Sequence, residues 1–185
     1  MEAFEELIRR LIRCLSSSSL DYAFTGALAV SFYGSPRTTS DVDLMIAISD
    51  EPKETEVADA LWCAGLEVEE RKLNEAITSG YNIATFRDKT SPYSVDIIIT
   101  RGRLDKRPGA VAGLNTYLQK PEALILAKLR MIKATLPRER AVKDEEDIRG
   151  ILAFTKVDME SVKKMAEREG TLDILQRLTE STTRL

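Results

Sequence analysis

The sequence contains no histidine and only two cysteines, Cys14 and Cys63, among its 185 residues. Without histidine, a Cys/His zinc site is excluded, and so is every catalytic arrangement that uses a histidine base. Two cysteines are too few for a disulfide framework, so we interpret both as buried apolar side chains. Any catalysis must therefore rest on carboxylates, lysines and bound metal.

Long apolar runs and a strong net charge are also missing. No stretch approaches the roughly 20 apolar residues that cross a bilayer, and the acidic, amphipathic segment 1–15 lacks the pattern of a signal peptide. A cytoplasmic protein without a membrane partner is expected. The net charge of −3 gives no overall attraction to nucleic acid. A hydrophobic content of 43% with 31% charged residues is typical of an ordinary globular domain.

Hydrophobic spacing and turn residues predict an α/β (α+β) fold with a mixed sheet, helices on one of its faces and a helical C-terminal region. Segment 42–48 is apolar on both faces, which is typical of a central strand covered on both sides. Segment 101–113 is interpreted as a loop, and 66–80 is ambiguous. We divide the chain into a core at 1–120, which includes the N-terminal helix, and a helical region at 121–185. The predicted helices are 1–15, 27–33, 54–64, 121–134, 143–154, 159–169 and 171–180, and the predicted strands are 22–25, 42–48, 82–87, 93–100 and 114–118.

Three aspartates lie on predicted strands. Asp41 and Asp43 are two residues apart, so their side chains point to the same face, about 6–7 Å apart along the backbone. Asp96 interrupts an apolar strand that is expected to lie beside theirs. Unpaired charges on a buried sheet are costly, so bound cations are their natural partners. Oxygen ligands alone favour Mg²⁺ or Mn²⁺.

The alternative is that these acids are structural, with Asp41 and Asp43 capping a strand in solvent and Asp96 on an exposed sheet edge. The segment before these aspartates favours a nucleotide-binding site over this structural alternative. Gly26 forms a turn that opens a helix, and the N–H groups at a helix start suit a triphosphate.

Residues 25–44 read Thr-Gly-Ala-Leu-Ala-Val-Ser-Phe-Tyr-Gly-Ser-Pro-Arg-Thr-Thr-Ser-Asp-Val-Asp-Leu. This segment resembles the signature of the DNA polymerase beta-like nucleotidyltransferases: a glycine turn, a helix, then Arg-x-Thr-x-Asp-hydrophobic-Asp. The pattern is most similar to the abortive-infection type, which includes toxins of toxin–antitoxin pairs. A later Lys-Leu at Lys128 and an Asp-rich helix at 143–148 complete that pattern.

The resemblance implies that Gly26 and Ala27 hold the triphosphate of an NTP. It further implies that Asp41, Asp43 and Asp96 bind Mg²⁺ or Mn²⁺ and that Asp96 helps to activate the acceptor. Ala27 departs from the pattern, in which a second glycine or a serine is usual, so one hydroxyl contact to phosphate is missing and nucleotide binding is weakened.

Four further residues belong to the pattern, and for three of them an alternative stays open. The resemblance implies that Thr39 contacts the nucleotide. Arg37, which precedes the metal strand together with Thr39, either steadies the loop or contacts a phosphate, or is a surface arginine. Lys128 either contacts the triphosphate or extends its ammonium to solvent along an apolar helix face. Asp147 is either a functional acid or, like Asp144, a solvated helix residue.

The implied reaction moves a nucleoside monophosphate from an NTP to a hydroxyl acceptor, with a transfer-RNA end or a protein hydroxyl as the expected acceptor and an antitoxin as a further partner. A basic cluster could line an RNA path or be an ordinary solvated loop. It comprises Arg101, Arg103, Lys106 and Arg107. Two rivals remain: a non-catalytic nucleotide-binding or regulatory protein, against which the intact acids argue, and a phosphohydrolase that uses the same carboxylates.

Overall fold

The structure is a computed structural model that describes residues 2–34, 36–48, 54–79, 82–135 and 139–182. Packing divides the chain into two compact units, one formed by Met1–Leu28 with Thr38–Gln119 and the other by Ala29–Arg37 with Lys120–Leu185. The helices are α1 (Glu2–Ser16), α2 (Gly26–Tyr33), α3 (Glu54–Cys63), α4 (Glu70–Thr78), α5 (Pro121–Ala134), α6 (Glu139–Phe154), α7 (Met159–Glu169) and α8 (Leu172–Thr182).

The first unit contains a mixed sheet of seven strands in the order β3-β4-β5-β2-β1-β7-β6. The pairs β2–β5 and β1–β7 are parallel, and the other neighbours are antiparallel. This confirms the predicted mixed α/β fold. The strands are β1 (Asp21–Phe24), β2 (Asp41–Ile48), β3 (Leu66–Glu67), β4 (Ile83–Asp88), β5 (Ser94–Arg101), β6 (Lys106–Val111) and β7 (Leu114–Gln119).

Helices α1, α3 and α4 cover one face of this sheet. Val42, Leu44 and Ile46 of β2 point to that face and are fully buried, because they pack against the apolar stripes of the three helices. On the opposite face Asp41 and Asp43 are only partly buried. Strand β2 is the central strand of the sheet, as predicted, and the less covered of its two faces is the one that carries the acids.

The segment predicted as a loop at 101–113 contains strand β6. It pairs with β7 through a hairpin whose turn residues, Ala112 and Gly113, have φ of 50° and 80°. Positive φ at both positions matches the right-handed twist of a two-residue hairpin. The strand lies at the sheet edge, where Pro108 is tolerated, and this composition concealed it from hydrophobic spacing. The ambiguous segment 66–80 holds β3 and α4.

Cys14 and Cys63 form a disulfide that joins α1 to α3. The interpretation of both as buried apolar side chains is wrong, since Cys14 is partly buried and Cys63 is exposed. Disulfides are uncommon in reducing compartments, so the expected cytoplasmic location stays a prediction. Within the described ranges, no helix is long and apolar enough to cross a membrane.

The second unit is helical. Each of the helices α5 to α8 turns one apolar stripe towards its neighbours and buries it. Helix α7 is bounded by Asp158, which accepts a hydrogen bond from the N–H of Ser161, and by Gly170 in the left-handed conformation. The end of α2 is fixed by Thr155, whose hydroxyl donates to the carbonyl of Tyr33. The buried residues include Leu124, Ile125, Leu129, Ile148, Ile151, Val162, Leu175 and Leu178.

Replacing Cys14 and Cys63 together by serine is expected to lower the free energy of unfolding by about 2–4 kcal/mol, because the bond restricts the unfolded chain over a separation of 49 residues. Urea denaturation without reductant is the measurement. As the matched control, dithiothreitol should destabilise the wild type by the same amount and leave the double variant unchanged. Two free thiols in the unreduced wild type would contradict the bond.

A second stability prediction concerns Asp88, which ties α1 to the end of β4. Its carboxylate accepts hydrogen bonds from Arg10 at 2.8 Å and Ser91 at 2.5 Å. Burial raises the pKa of Asp88, but hydrogen bonds from Ser91, Arg10 and Thr90 and the charge of Arg10 bring it on balance below its ordinary value of 3.8. The ionised form is therefore favoured by folding.

Asp88→Asn is accordingly expected to lower the free energy of unfolding by about 2–3 kcal/mol at neutral pH. The contribution of Asp88 is present above its ordinary pKa of 3.8 and is lost as pH falls through the lower folded value. The difference in the free energy of unfolding between variant and wild type should therefore shrink at acidic pH. Urea denaturation at pH 7 and at about pH 3 is the measurement, and an equal difference at both pH values would show that the charge of Asp88 does not stabilise the fold.

Candidate active site

The contact between Asp43 and Gly26 lies at the centre of the site. Strands β1 and β2 pair antiparallel, and the N–H of Thr25 donates to the carbonyl of Asp43 at 3.0 Å just before the chain turns into α2. Gly26 has a φ of +57°, and a Cβ atom at this position would lie 1.8 Å from Oδ2 of Asp43. Only glycine tolerates both the backbone conformation and the close approach of the carboxylate.

The three aspartates share the partly open face of the sheet. In the parallel pair β2–β5, Asp43 is the direct partner of Asp96. On the other side of β5, Asp96 is the partner of Thr85 in β4. Partners in neighbouring strands point to the same face, so Asp43, Asp96 and Thr85 form one row, and Asp41 lies two residues along β2 on that face.

Two of these carboxylates are bound by threonine hydroxyls. Thr39 donates to Oδ1 of Asp41, and Thr85 donates to Oδ1 of Asp96 at 2.6 Å. Across the described ranges, no group of three or more His, Cys, Asp or Glu side chains is arranged to hold a metal ion. The structure thus places Asp41, Asp43 and Asp96 on one face of the sheet but does not gather their carboxylates around one point, and one oxygen each of Asp41 and Asp96 accepts from a neutral donor.

The predicted phosphate-binding residues lie at the start of α2. Gly26 and Ala27 are its first two residues, and Ala27 is 6% exposed. Thr25, immediately before them, is buried, and its hydroxyl donates to the side chain of Gln119 at the end of β7. The first N–H groups of a helix lack partners within that helix, which suits the binding of an anion.

Arg37, Lys128 and Asp147 come together in the second unit as an ion network in which Lys128 and Asp147 are buried and Arg37 is exposed. Lys128 donates to Asp147 at 2.6 Å and to Asp144 at 2.9 Å. Arg37 pairs with the same oxygen of Asp147. Asp147 and Lys128 are each 7% exposed. Lys128 therefore does not extend to solvent, Asp147 is not a solvated helix acid, and Arg37 is anchored by an ion pair.

The predicted basic cluster is partly neutralised. The ammonium of Lys106 pairs with Asp21 at 2.5 Å and lies 4.1 Å from the ring centroid of Tyr117. Burial raises the pKa of Asp21, but hydrogen bonds from Lys106 and the N–H of Leu104, with the charges of Lys106 and Arg103, lower it on balance. Since Asp21 engages this lysine, the cluster offers less positive charge than its sequence indicates.

Thr85 is the residue of the row that sequence reasoning missed. The predicted strands 82–87 and 93–100 already implied an antiparallel pair. Counting outward from the turn between Asp88 and Tyr93 places Thr85 opposite Asp96. A hydroxyl directly opposite a candidate metal ligand was the available signal.

Comparison with protein families and with curated proteins finds no match. Solved structures do match. The solution structure of the antibiotic-resistance factor ANT(2'')-Ia has a TM-score of 0.65 at 13% identity, covering 99% of this chain and 96% of that one. The crystal structure of ANT(2'')-Ia in complex with adenylyl-2''-tobramycin has a TM-score of 0.65 at 14% identity, covering 90% and 96%.

An antigenic nucleotidyltransferase-like protein from Paracoccidioides brasiliensis has a TM-score of 0.56 at 15% identity, with 95% of this chain and 92% of that chain covered. The chain therefore shares the fold of these proteins. At such identities the similarity establishes the fold alone, so the activity has to be argued from the residues of the site.

Gly26→Ala is expected to lower the free energy of unfolding by about 2–4 kcal/mol, because the new methyl group collides with the Asp43 carboxylate in addition to straining the backbone. Gly113→Ala is the matched control, since Gly113 also has a positive φ, of +80°, but has no atom within 4 Å of an added Cβ. That control should lose only about 1 kcal/mol. Equal losses in urea denaturation would show that the Asp43 contact does not require glycine.

Proposed function

We propose that this protein is a nucleotidyltransferase that moves a nucleoside monophosphate from an NTP to a hydroxyl acceptor. A bond forms between the acceptor oxygen and the α-phosphorus, the bond from that phosphorus to the bridging oxygen breaks, and pyrophosphate leaves. The proton of the hydroxyl passes to a carboxylate, which we assign to Asp96. In-line displacement of this kind depends on positioning and on stabilisation of charge.

The observation that carries this proposal is the position of Asp43, which touches the turn at the start of α2 and pairs with Asp96 on the next strand. A pair of carboxylates beside a helix start offers one substrate both acidic oxygens and backbone N–H groups. The N–H groups at Gly26 and Ala27 suit the phosphates, and the acids suit the ions that accompany them.

The donor atoms present fit a divalent metal ion in their chemistry, but within the described ranges the three carboxylates are not arranged around one point and would have to turn towards a bound ion. Asp41, Asp43 and Asp96 offer oxygen atoms only, and the hydroxyl partners of Asp41 and Asp96 are uncharged. We assign these three as ligands of Mg²⁺ or Mn²⁺, which when bound would neutralise phosphate oxygens and lower the pKa of the acceptor hydroxyl. Thr39 then acts through Asp41 by holding its carboxylate, in addition to the nucleotide contact that the sequence resemblance implies.

The ion network supports a structural role for Arg37, Lys128 and Asp147 before any role in nucleotide binding. Both cations are engaged by Asp147. Arg37 could contact a phosphate through its other guanidinium N–H groups, whereas the buried Lys128 would exchange a carboxylate for the nucleotide. We retain Arg37 and Lys128 as phosphate contacts in these two ways. Asp147 is then the residue that keeps them in place when no nucleotide is bound.

An assay can distinguish between the candidate acceptors. The sequence resemblance to abortive-infection toxins favours a transfer-RNA end or a protein hydroxyl, with an antitoxin as partner, whereas the ANT(2'')-Ia complex contains an adenylylated aminoglycoside. NTPs labelled at the α-phosphate should be offered with transfer RNA, protein extract and tobramycin in parallel. Release of free labelled nucleoside monophosphate without any acceptor would favour the phosphohydrolase instead.

Asp43→Asn is expected to reduce transfer to below about one hundredth of wild type, because it removes a ligand charge where the nucleotide binds. Without metal its melting temperature should be unchanged or slightly raised, because the substitution keeps the shape and relieves repulsion between neighbouring acids. Labelled-nucleotide transfer and thermal unfolding, each with and without Mg²⁺, are the measurements.

The matched control is Asp59→Asn, the same substitution at an exposed position of α3. It should leave both transfer and melting temperature unchanged. Near wild-type transfer by Asp43→Asn, once an acceptor is found, would remove this residue from the site. Binding of labelled NTP without any turnover would favour the non-catalytic alternative.

A further inference from the structure

The Asp96 carboxylate has a single protein partner among the residues that the structure describes. Thr85 donates to its Oδ1 at 2.6 Å, and no ion pair or second hydrogen bond to this carboxylate is found in the described ranges. Hydrogen bonds to an ionised acceptor are stronger than those between neutral groups. The orientation of Asp96 therefore depends on one hydroxyl.

The position of Thr85 determines the side to which Asp96 turns. Strand β5 lies between β2 and β4, so Asp43 and Thr85 flank Asp96 from opposite sides in the same row. Two like charges directly opposite each other repel. The hydrogen bond draws Oδ1 of Asp96 towards β4, away from Asp43, and leaves Oδ2 without a hydrogen bond in the described part of the chain.

Thr85 is suited to this task and is not needed for the core. It is exposed, whereas its neighbours Ala84 and Phe86 point to the opposite face and are buried at 5% and 2% exposure. A β-branched side chain on a strand has restricted χ1 freedom, so its hydroxyl is held in one direction. The energetic importance of Thr85 for folding is small, and its effect on Asp96 is specific.

We propose that Thr85 is a positioning residue that orients Asp96 for metal binding, an inference that rests on the proposed function. Partners that hold a metal ligand by its second oxygen typically contribute 10- to 100-fold to metal affinity or activity. Loss of the Thr85 hydroxyl leaves Asp96 in place, but its carboxylate is then free to rotate. Ion binding would have to fix that orientation at an entropic cost.

The test is the affinity for Mn²⁺ alone, measured as free ion by electron paramagnetic resonance. Thr85→Val, which keeps the branched shape and removes the hydroxyl, is expected to weaken Mn²⁺ binding about tenfold. Thr85→Ser, which restores a hydroxyl, should bind Mn²⁺ within about twofold of the wild type. The melting temperature without metal should be the same for all three proteins, which separates positioning from a general loss of structure.

Thr100→Val is the matched control, because Thr100 lies on β5 on the same face as Asp96 and its buried hydroxyl has no hydrogen-bond partner in the described part of the chain. It should leave Mn²⁺ affinity unchanged. Asp43→Asn and Asp96→Asn provide the reference for a lost ligand.

The outcomes distinguish the two proposals. If the wild type binds Mn²⁺ and Asp43→Asn does not, while Thr85→Val binds as the wild type does, the role of Thr85 is overturned and the proposed function stands. If Thr85→Val and Thr100→Val weaken binding equally, the effect is not specific to Asp96 and the inference also fails. If the wild type binds no Mn²⁺, the metal site of the proposed function fails, and the inference fails with it.

Discussion

The structure of the site depends on the carboxylate of Asp43 occupying the space that a side chain at residue 26 would need. This contact joins three features in one place: the antiparallel pairing of β1 with β2, the positive φ of Gly26 and the first turn of α2. Because the backbone of Thr25 also hydrogen-bonds to Asp43, the turn cannot shift without moving the strand. A carboxylate and a helix start are thereby held at a fixed separation, which a phosphate–metal pair requires and which free side chains would achieve only at an entropic cost.

Much of the fold could be predicted from the sequence, because the apolar residues of many helices and strands repeat at regular spacings along the chain. Helix α1 repeats its apolar residues at helical spacing, and the apolar run around Asp96 is a strand in the structure. The features that were missed depend on contacts between distant segments. The disulfide joins residues 49 positions apart, and the spacing of two cysteines carries no information on whether their helices meet. Strand β6 exists because β7 lies beside it, and its own Pro108 and Gly109 argue against a strand.

The site was predictable in its residue types and less so in its contacts. Alternation along one strand places Asp41 and Asp43 on one face, but the register that pairs Asp43 with Asp96 spans more than fifty positions and is fixed by the whole sheet. For Lys128, the apolar helix face indicated a position near the buried stripe, and of the two alternatives the extension of its ammonium to solvent is wrong. Its partner Asp147 could be found only from the packing of α5 against α6, which brings the two side chains to 2.6 Å.

The two groups of acids in this protein are stabilised in different ways, and the difference bears on function. In the second unit, Asp144 and Asp147 share the charges of Lys128 and Arg37, so the network is neutral as it stands and its burial needs no further ligand. On the sheet, Asp41 and Asp96 have hydroxyl partners, which donate a hydrogen bond but bring no positive charge. Both residues remain partly exposed. This face therefore concentrates negative charge beside a helix start, and in the described part of the chain no cation pairs with these two carboxylates. A divalent ion that accompanies a phosphate would balance that charge.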